Sequence, residues 1–269
     1  MITFLRKIRR KLMTENKISR YLLYAIGEIF LVVIGILIAL GINNWNENQK
    51  LRDQEITYLM NLRDDLTAQI NMLDVYIDYE SIIINHANEV IKHYESNNGF
   101  YDMDSILPKL NDLSTRWTFT NANTTLSQML NSNQINIIQN INLKDELITY
   151  NQQIELFAMN TNINNTNLVD NLTTHTFIDY GGFASYGNSK RMVEKFNDFY
   201  PFQNKIVDDE ELKNTIIQIL NEPTNKLRLI NKVAYRNTLA SLQKSGNESL
   251  KQRSLEILNM VKEEIDSHK

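Results

Sequence analysis

The chain has no cysteine, only 3 prolines and only 8 glycines among 269 residues. Without cysteine there is no disulfide framework, no thiolate nucleophile and no Cys-ligated zinc or iron–sulfur site. So few prolines and glycines exclude a barrel or sandwich with many tight turns. Also missing are a GxGxxG or GxxxxGK[ST] phosphate loop, an HExxH helix and a serine nucleophile elbow, so no residue pattern points to catalysis, a cofactor or a resident metal. Excess positive charge is absent as well: the formal net charge is −4, which argues against a basic nucleic-acid binder.

That small net charge conceals a division. Residues 1–20 carry seven basic side chains (Arg6, Lys7, Arg9, Arg10, Lys11, Lys17, Arg20) against Glu15 alone, whereas the remainder carries 21 basic and 31 acidic ones. Next comes a long apolar run, residues 22–42, LLYAIGEIFLVVIGILIALGI. As a helix it is about 31 Å long, enough to cross a hydrocarbon core of about 30 Å. Tyr21 and Tyr24 at one end and Trp45 at the other suit the headgroup layers as interfacial anchors. The positive-inside rule places the N-terminus in the cytoplasm and the bulk of the chain outside. A cleaved signal peptide would also start basic, but the run exceeds the usual 7–15-residue signal core. The expected organisation is a basic cytoplasmic tail (1–20), one transmembrane helix (21–44) and an extracytoplasmic domain (45–269).

Inside the apolar run, Glu28, Gly35 and Ala39 share a helix face. Gly35-x-x-x-Ala39 lets two helices approach closely, and Glu28 is costly in hydrocarbon unless protonated or partnered. The stripe is a candidate helix-association face; equally, it is a protonated acid beside small residues of the kind common in membrane helices.

Beyond Trp45 the chain reads as an all-α protein. Leu59, Leu62, Leu66, Ile70, Leu73, Ile77 and Ile84 recur at steps of three and four, with eleven-residue intervals that suit a nearly straight stalk helix, a coiled-coil-like element continuing the membrane helix. Asn97, Asn98 and Gly99 stop it. A short helix from Asp104 to Asp112, interrupted by Pro108, is followed by the extended residues 114–120. Asn123 and Asn142 are candidate caps for two further helices. Helix signals return at 189–199. The acidic group Asp208, Asp209, Glu210 and Glu211 precedes Leu212, Ile216, Ile219 and Leu220, where it suits a helix N-terminus and lacks the ligand spacing of a calcium loop. A last helical region, from about Asn225 to Ser267, is weakened at Ser245-Gly246-Asn247. Antiparallel pairing of the long terminal helices would close the bundle.

The 36 asparagines read as solvent-facing residues along apolar-periodic segments, and three N-x-[ST] matches, at Asn123, Asn171 and Asn247, are expected by chance in so Asn-rich a chain. His86 and His93 share a helix face with Tyr79. They suggest part of a metal or proton-relay site, or else surface or interface histidines; four ligands are not supplied. Tyr180, Gly181, Gly182, Phe183 and Tyr186 form the best candidate binding loop, since glycine allows close backbone approach and aromatics give contact area. A helix-to-helix turn with its rings folded on the bundle is the plainer reading.

The segment KISRYLLYAIGEIFLVVIGILIALGINNWNE resembles the head of an uncharacterised family of single-pass membrane proteins of flavobacteria-like Gram-negative bacteria. The resemblance rests on Tyr-Ala-Ile-Gly-Glu-Ile at 24–29 and Ile-Asn-Asn-Trp-Asn-Glu at 42–47. A looser match runs through Leu126, Leu130, Ile135 and Leu143 to Tyr150. It implies an inner-membrane protein with a periplasmic domain and carries no activity. The expected partners are the lipid bilayer and a second membrane helix, from another copy or another protein. The expected role is a membrane-anchored interaction scaffold; a ligand-sensing domain relaying through a partner is the alternative, and an enzyme is the remote third.

Overall fold

The computed structural model describes residues 18–180 and 209–268, and among these there are helices and no strands. The chain divides into two compact units, Met1–Thr57 and Tyr58–Lys269. The longest helix, α1 (Ile18–Asn97), has residues in both.

In the first unit, the side chains of residues 26–42 are all exposed, including Ile29, Phe30, Leu31, Val32, Ile36, Leu37 and Ile38. Apart from Glu28 and small residues, this is a continuous apolar helix surface of the kind that suits hydrocarbon. The helix is long and apolar enough to cross a membrane.

The second unit holds the remainder of α1, then α2 (Met103–Leu113), α3 (Thr124–Asn131), a 3-10 turn (Gln134–Ile137) and α4 (Ile141–Asn164). A π-helical stretch (Asn165–Thr174) leads from α4 into the short α5 (His175–Asp179), and α6 (Glu210–Asn221) and α7 (Pro223–Ser267) follow. Local chemistry sets the boundaries. Asn98 adopts a left-handed conformation, φ 51°, which ends α1 as a C-terminal cap does. The Asp102 side chain caps α2, accepting from the Ser105 N–H at 3.3 Å. Pro108 does not interrupt that helix. Asp209 caps α6 by accepting from the Leu212 N–H at 3.0 Å, with Glu210 and Glu211 in the first turn. Pro223 opens α7 at a position where its missing N–H costs nothing. Asn123 precedes α3 without a side-chain cap. The cap of α4 is Asn140, not Asn142: the chain is still extended at Asn140 (ψ 103°), and its side chain accepts from Leu143 N–H at 3.1 Å.

Within this unit α1 and α7 run antiparallel. Lys226 Nζ reaches the Asn98 carbonyl (3.3 Å), Asn237 Nδ2 donates to Asn88 Oδ1 (2.8 Å), and Lys251 Nζ donates to Asp74 Oδ1 (2.6 Å). α4 is also antiparallel to α7: Tyr150 and Ser254 share a 2.8 Å hydrogen bond, and Asn165 meets Gln243 farther along.

The buried seam of α1 corrects the eleven-residue reading. Leu59, Leu66, Leu73, Glu80 and Ala87 are buried, as are Leu62, Gln69, Tyr76, Ile83 and Val90, whereas Ile77 and Ile84 are only half-buried. Both sets repeat every seven residues. α7 follows the same rule, with Leu229, Arg236, Gln243, Leu250 and Ile257 alternating with Val233, Ala240, Asn247, Ser254 and Val261. Heptad spacing keeps two helices facing each other along their length. The segment around Gly246 therefore does not weaken α7, which is continuous there.

Two apolar clusters result. One joins the second half of α1 to α2, α5, α6 and the first half of α7. The other joins Leu59 to Tyr76 with α3, α4 and the second half of α7. Trp117 packs against both.

Candidate functional site

Between those clusters lies a polar layer. Arg236 is fully buried on α7, where its Nε donates to the Leu113 carbonyl and its Nη2 to the Thr115 carbonyl, each at 3.3 Å. Its Nη1 stands 3.5 Å from Glu80 Oε2. This separation makes an ion pair without a well-formed hydrogen bond. Burial pushes the Glu80 carboxyl up to about 7, against the opposing pull of Arg236. Beside it, the Tyr79 hydroxyl shares a 2.6 Å hydrogen bond with Thr115 Oγ1. Burial drives that phenol well above its ordinary range. His86 is buried too, its Nδ1 3.1 Å from Asp112 Oδ2.

Next to this group, Glu80, Gln243, Asn247 and Thr161 line a cleft together with Tyr76, Trp117 and Phe119. About 10 Å³ is free for the centre of a water molecule, close to the least that holds one. The aromatic wall is well defined: Tyr76 lies 5.9 Å from Trp117 and 5.6 Å from Phe119 between ring centroids. The Tyr76 hydroxyl accepts from the Thr120 N–H at 3.1 Å and faces the Thr118 carbonyl at 3.4 Å.

The residues expected from sequence fall in different places. Glu28, Gly35 and Ala39 are exposed on the apolar stretch of α1, with no atom within 4 Å of a Cβ built on Gly35. Trp45 is exposed and Tyr24 half-buried; the Tyr21 side chain lies outside those described. Gly181, Gly182, Phe183 and Tyr186 lie outside the described residues, as does the helix signal at 189–199. Tyr180 is a core residue whose hydroxyl donates to Asn225 Oδ1 at 3.1 Å. Of the two plain readings for His86, surface or interface, the structure gives the second, because it is buried opposite an acid of α2; His93 is half-buried. The asparagines do not all face solvent either: Asn111, Asn123, Asn151, Asn165 and Asn247 are buried. Burial removes two of the three N-x-[ST] matches, those at Asn123 and Asn247, from consideration as modification sites.

Sequence reasoning missed Glu80, Arg236, Gln243 and Asn247. Their signal was present, as charged and amide residues at core positions of a seven-residue repeat that included polar members.

A family model matches part of the chain. It describes a family of unknown function, DUF6090, and covers residues 28–144. That region contains Glu80, His86, Asp112, Tyr76, Trp117 and Phe119, and excludes α7 with Arg236, Gln243 and Asn247. The whole of the 42–47 motif falls inside it, but only the last two residues of the 24–29 motif do. Neither a curated protein nor a solved structure matches the chain.

Proposed function

We propose that this protein is a single-span inner-membrane protein whose extracytoplasmic helical unit serves as an interaction scaffold, acting by binding rather than by catalysis. The observation that carries this reading is the fully exposed apolar surface of residues 26–42. The seven basic residues before it orient the N-terminus to the cytoplasm, and the bulk of the chain then lies in the periplasm of a Gram-negative cell. Glu28, Gly35 and Ala39 form the face on which a second membrane helix packs, from another copy or from a partner membrane protein. The titratable groups buried in the bundle take partners within it, as structural groups do.

The chain's lack of cysteine makes a direct test simple. Cysteine placed at exposed Asn259 is expected to react with an impermeant maleimide in spheroplasts, and cysteine at Thr14 only after lysis. Extraction of the protein by alkaline carbonate, or the reverse labelling pattern, would overturn the topology. Gly35→Leu is expected to reduce self- or partner cross-linking in detergent; unchanged cross-linking would remove the association face.

A second reading, a ligand-sensing unit that relays through a partner, is favoured by the aromatic-walled cleft.

A further inference from the structure

On the outer side of α4, Leu156, Met159 and Ile163 follow one another at steps of three and four, so they share one side of the helix. There they are 55%, 53% and 48% exposed. The core lies on the other side: Ile154 is buried, Ala158 packs on the second apolar cluster and Thr161 lines the cleft. Asn160 and Asn167, four residues beyond Leu156 and Ile163, are exposed along the same stripe. Leu172, also exposed, continues it about two of the wider π-helical turns farther on. From Leu156 to Val169 no side chain is ionisable.

Charge separates this face from the others of the second unit. The exposed residues of α1 between Met60 and Glu95 include Asp64, Asp74, Asp78, Glu89 and Glu95 against Lys92 alone. Residues 223–247 of α7 hold five basic and no acidic side chains, and of the five only Arg236 is buried. A face of one sign repels the same face of another copy. The α4 stripe carries no such penalty. Its amides each donate and accept, so Asn160 and Asn167 are able to bond the same residues of a second copy. Apolar side chains with a methionine among them and no charge are also what the buried centre of an interface is made of.

We propose that the α4 stripe is a contact between two copies of this chain, with Leu156, Met159 and Ile163 of one packed on those of the other. A two-fold contact uses the same patch twice. Met159, in the middle of the three, then meets its own counterpart. The inference rests on the scaffold reading and deepens it: the partner is a second copy, held outside the membrane by a face separate from Glu28, Gly35 and Ala39.

The test uses the full chain in detergent micelles. Met159→Cys supplies the only cysteine and is expected to give a disulfide-linked dimer on oxidation with copper phenanthroline. Asn85→Cys on α1 and Leu242→Cys on α7, both at exposed positions, are expected not to. Met159→Glu and Met159→Lys should each weaken self-association about tenfold or more, through like charges at the two-fold contact, with circular dichroism unchanged. Mixed with each other, these two variants should pair again. If Met159→Cys cross-links no better than the other two cysteines, or if the Met159→Glu and Met159→Lys chains pair no better mixed than alone, the stripe is covered by a different protein or by residues 181–208 of the same chain, and the proposal fails. Gly35→Leu reads the membrane face separately. Failure at Met159 therefore leaves the anchored scaffold standing, and failure at Gly35 leaves the α4 contact.

Discussion

Arg236 and Glu80 face each other across the middle of α7 and α1, both buried, 3.5 Å apart at their closest charged atoms. The pair is held as much by backbone as by charge, because Arg236 also ties down the carbonyls of Leu113 and Thr115. Removing one member of a buried pair leaves an uncompensated charge and costs about 3–5 kcal/mol. Arg236→Met should destabilise the bundle by that amount in denaturant titrations followed by circular dichroism. Adding Glu80→Leu should recover much of it, but not all, since the two carbonyls remain without their donor. Additivity of the two substitutions would show that the charges do not interact.

The same pair gives a pH signature. The Glu80 carboxyl sits at about 7 in the folded chain, against an ordinary value of 4.5. Folding therefore favours its protonated form. Its contribution to stability is full below about 4.5 and is lost as pH rises through about 7. A tenfold change in proton affinity between the folded and unfolded chain is worth about 1.4 kcal/mol. Glu80→Gln should flatten the stability profile across that window relative to the unsubstituted chain. Equal slopes in the two proteins would mean that Glu80 does not titrate there.

Much of the fold was legible because helix periodicity and helix punctuation are local. Asn98 and Asp209 end and open helices where the sequence indicated, and α7 opens at Pro223, two residues before the expected start at Asn225. The polar layer was not legible, because an apolar-only search of α7 sees Leu229, Val233 and Ala240, then passes over Gln243 and Asn247. Reading those amides as solvent-facing hid the seven-residue spacing, and on α1 it shifted attention from Tyr76 and Ile83 to the half-buried Ile77 and Ile84. Partner choice was equally hidden. Nothing near His86 in sequence points to Asp112, which α2 delivers only after the chain has turned at Asn98.

Asn221, at the end of α6, holds that turn. Its Oδ1 accepts from the Phe100 N–H at 2.9 Å, and its Nδ2 donates to the Phe100 carbonyl at 2.7 Å. Phe100 is fully buried, so water does not readily replace these bonds. Asn221→Ala should cost about 1–3 kcal/mol for each group left unpaired. Gly99→Ala should cause the same loss by another route, because a Cβ there would stand 2.3 Å from Asn221 Oδ1. The two substitutions together should cost less than their sum in a double-mutant cycle. Full additivity would mean that Gly99 matters for a reason other than Asn221.

Gly246 tests the α4–α7 contact. It lies inside α7, where replacement of glycine by alanine ordinarily stabilises a helix by about 1 kcal/mol. Here the added Cβ would stand 2.6 Å from the ring of Phe157 on α4. That ring is not free to withdraw without disturbing Phe119, against which it packs edge-on at a centroid distance of 5.1 Å. Overpacking of this kind costs about 1–3 kcal/mol, which outweighs the propensity gain. Gly246→Ala should therefore lower the denaturation midpoint of the unsubstituted chain. In a Phe157→Leu background, with the ring gone, the same substitution should be neutral or stabilising by about 1 kcal/mol. A midpoint that rises with Gly246→Ala while Phe157 is intact would show that the two helices are farther apart than this contact requires.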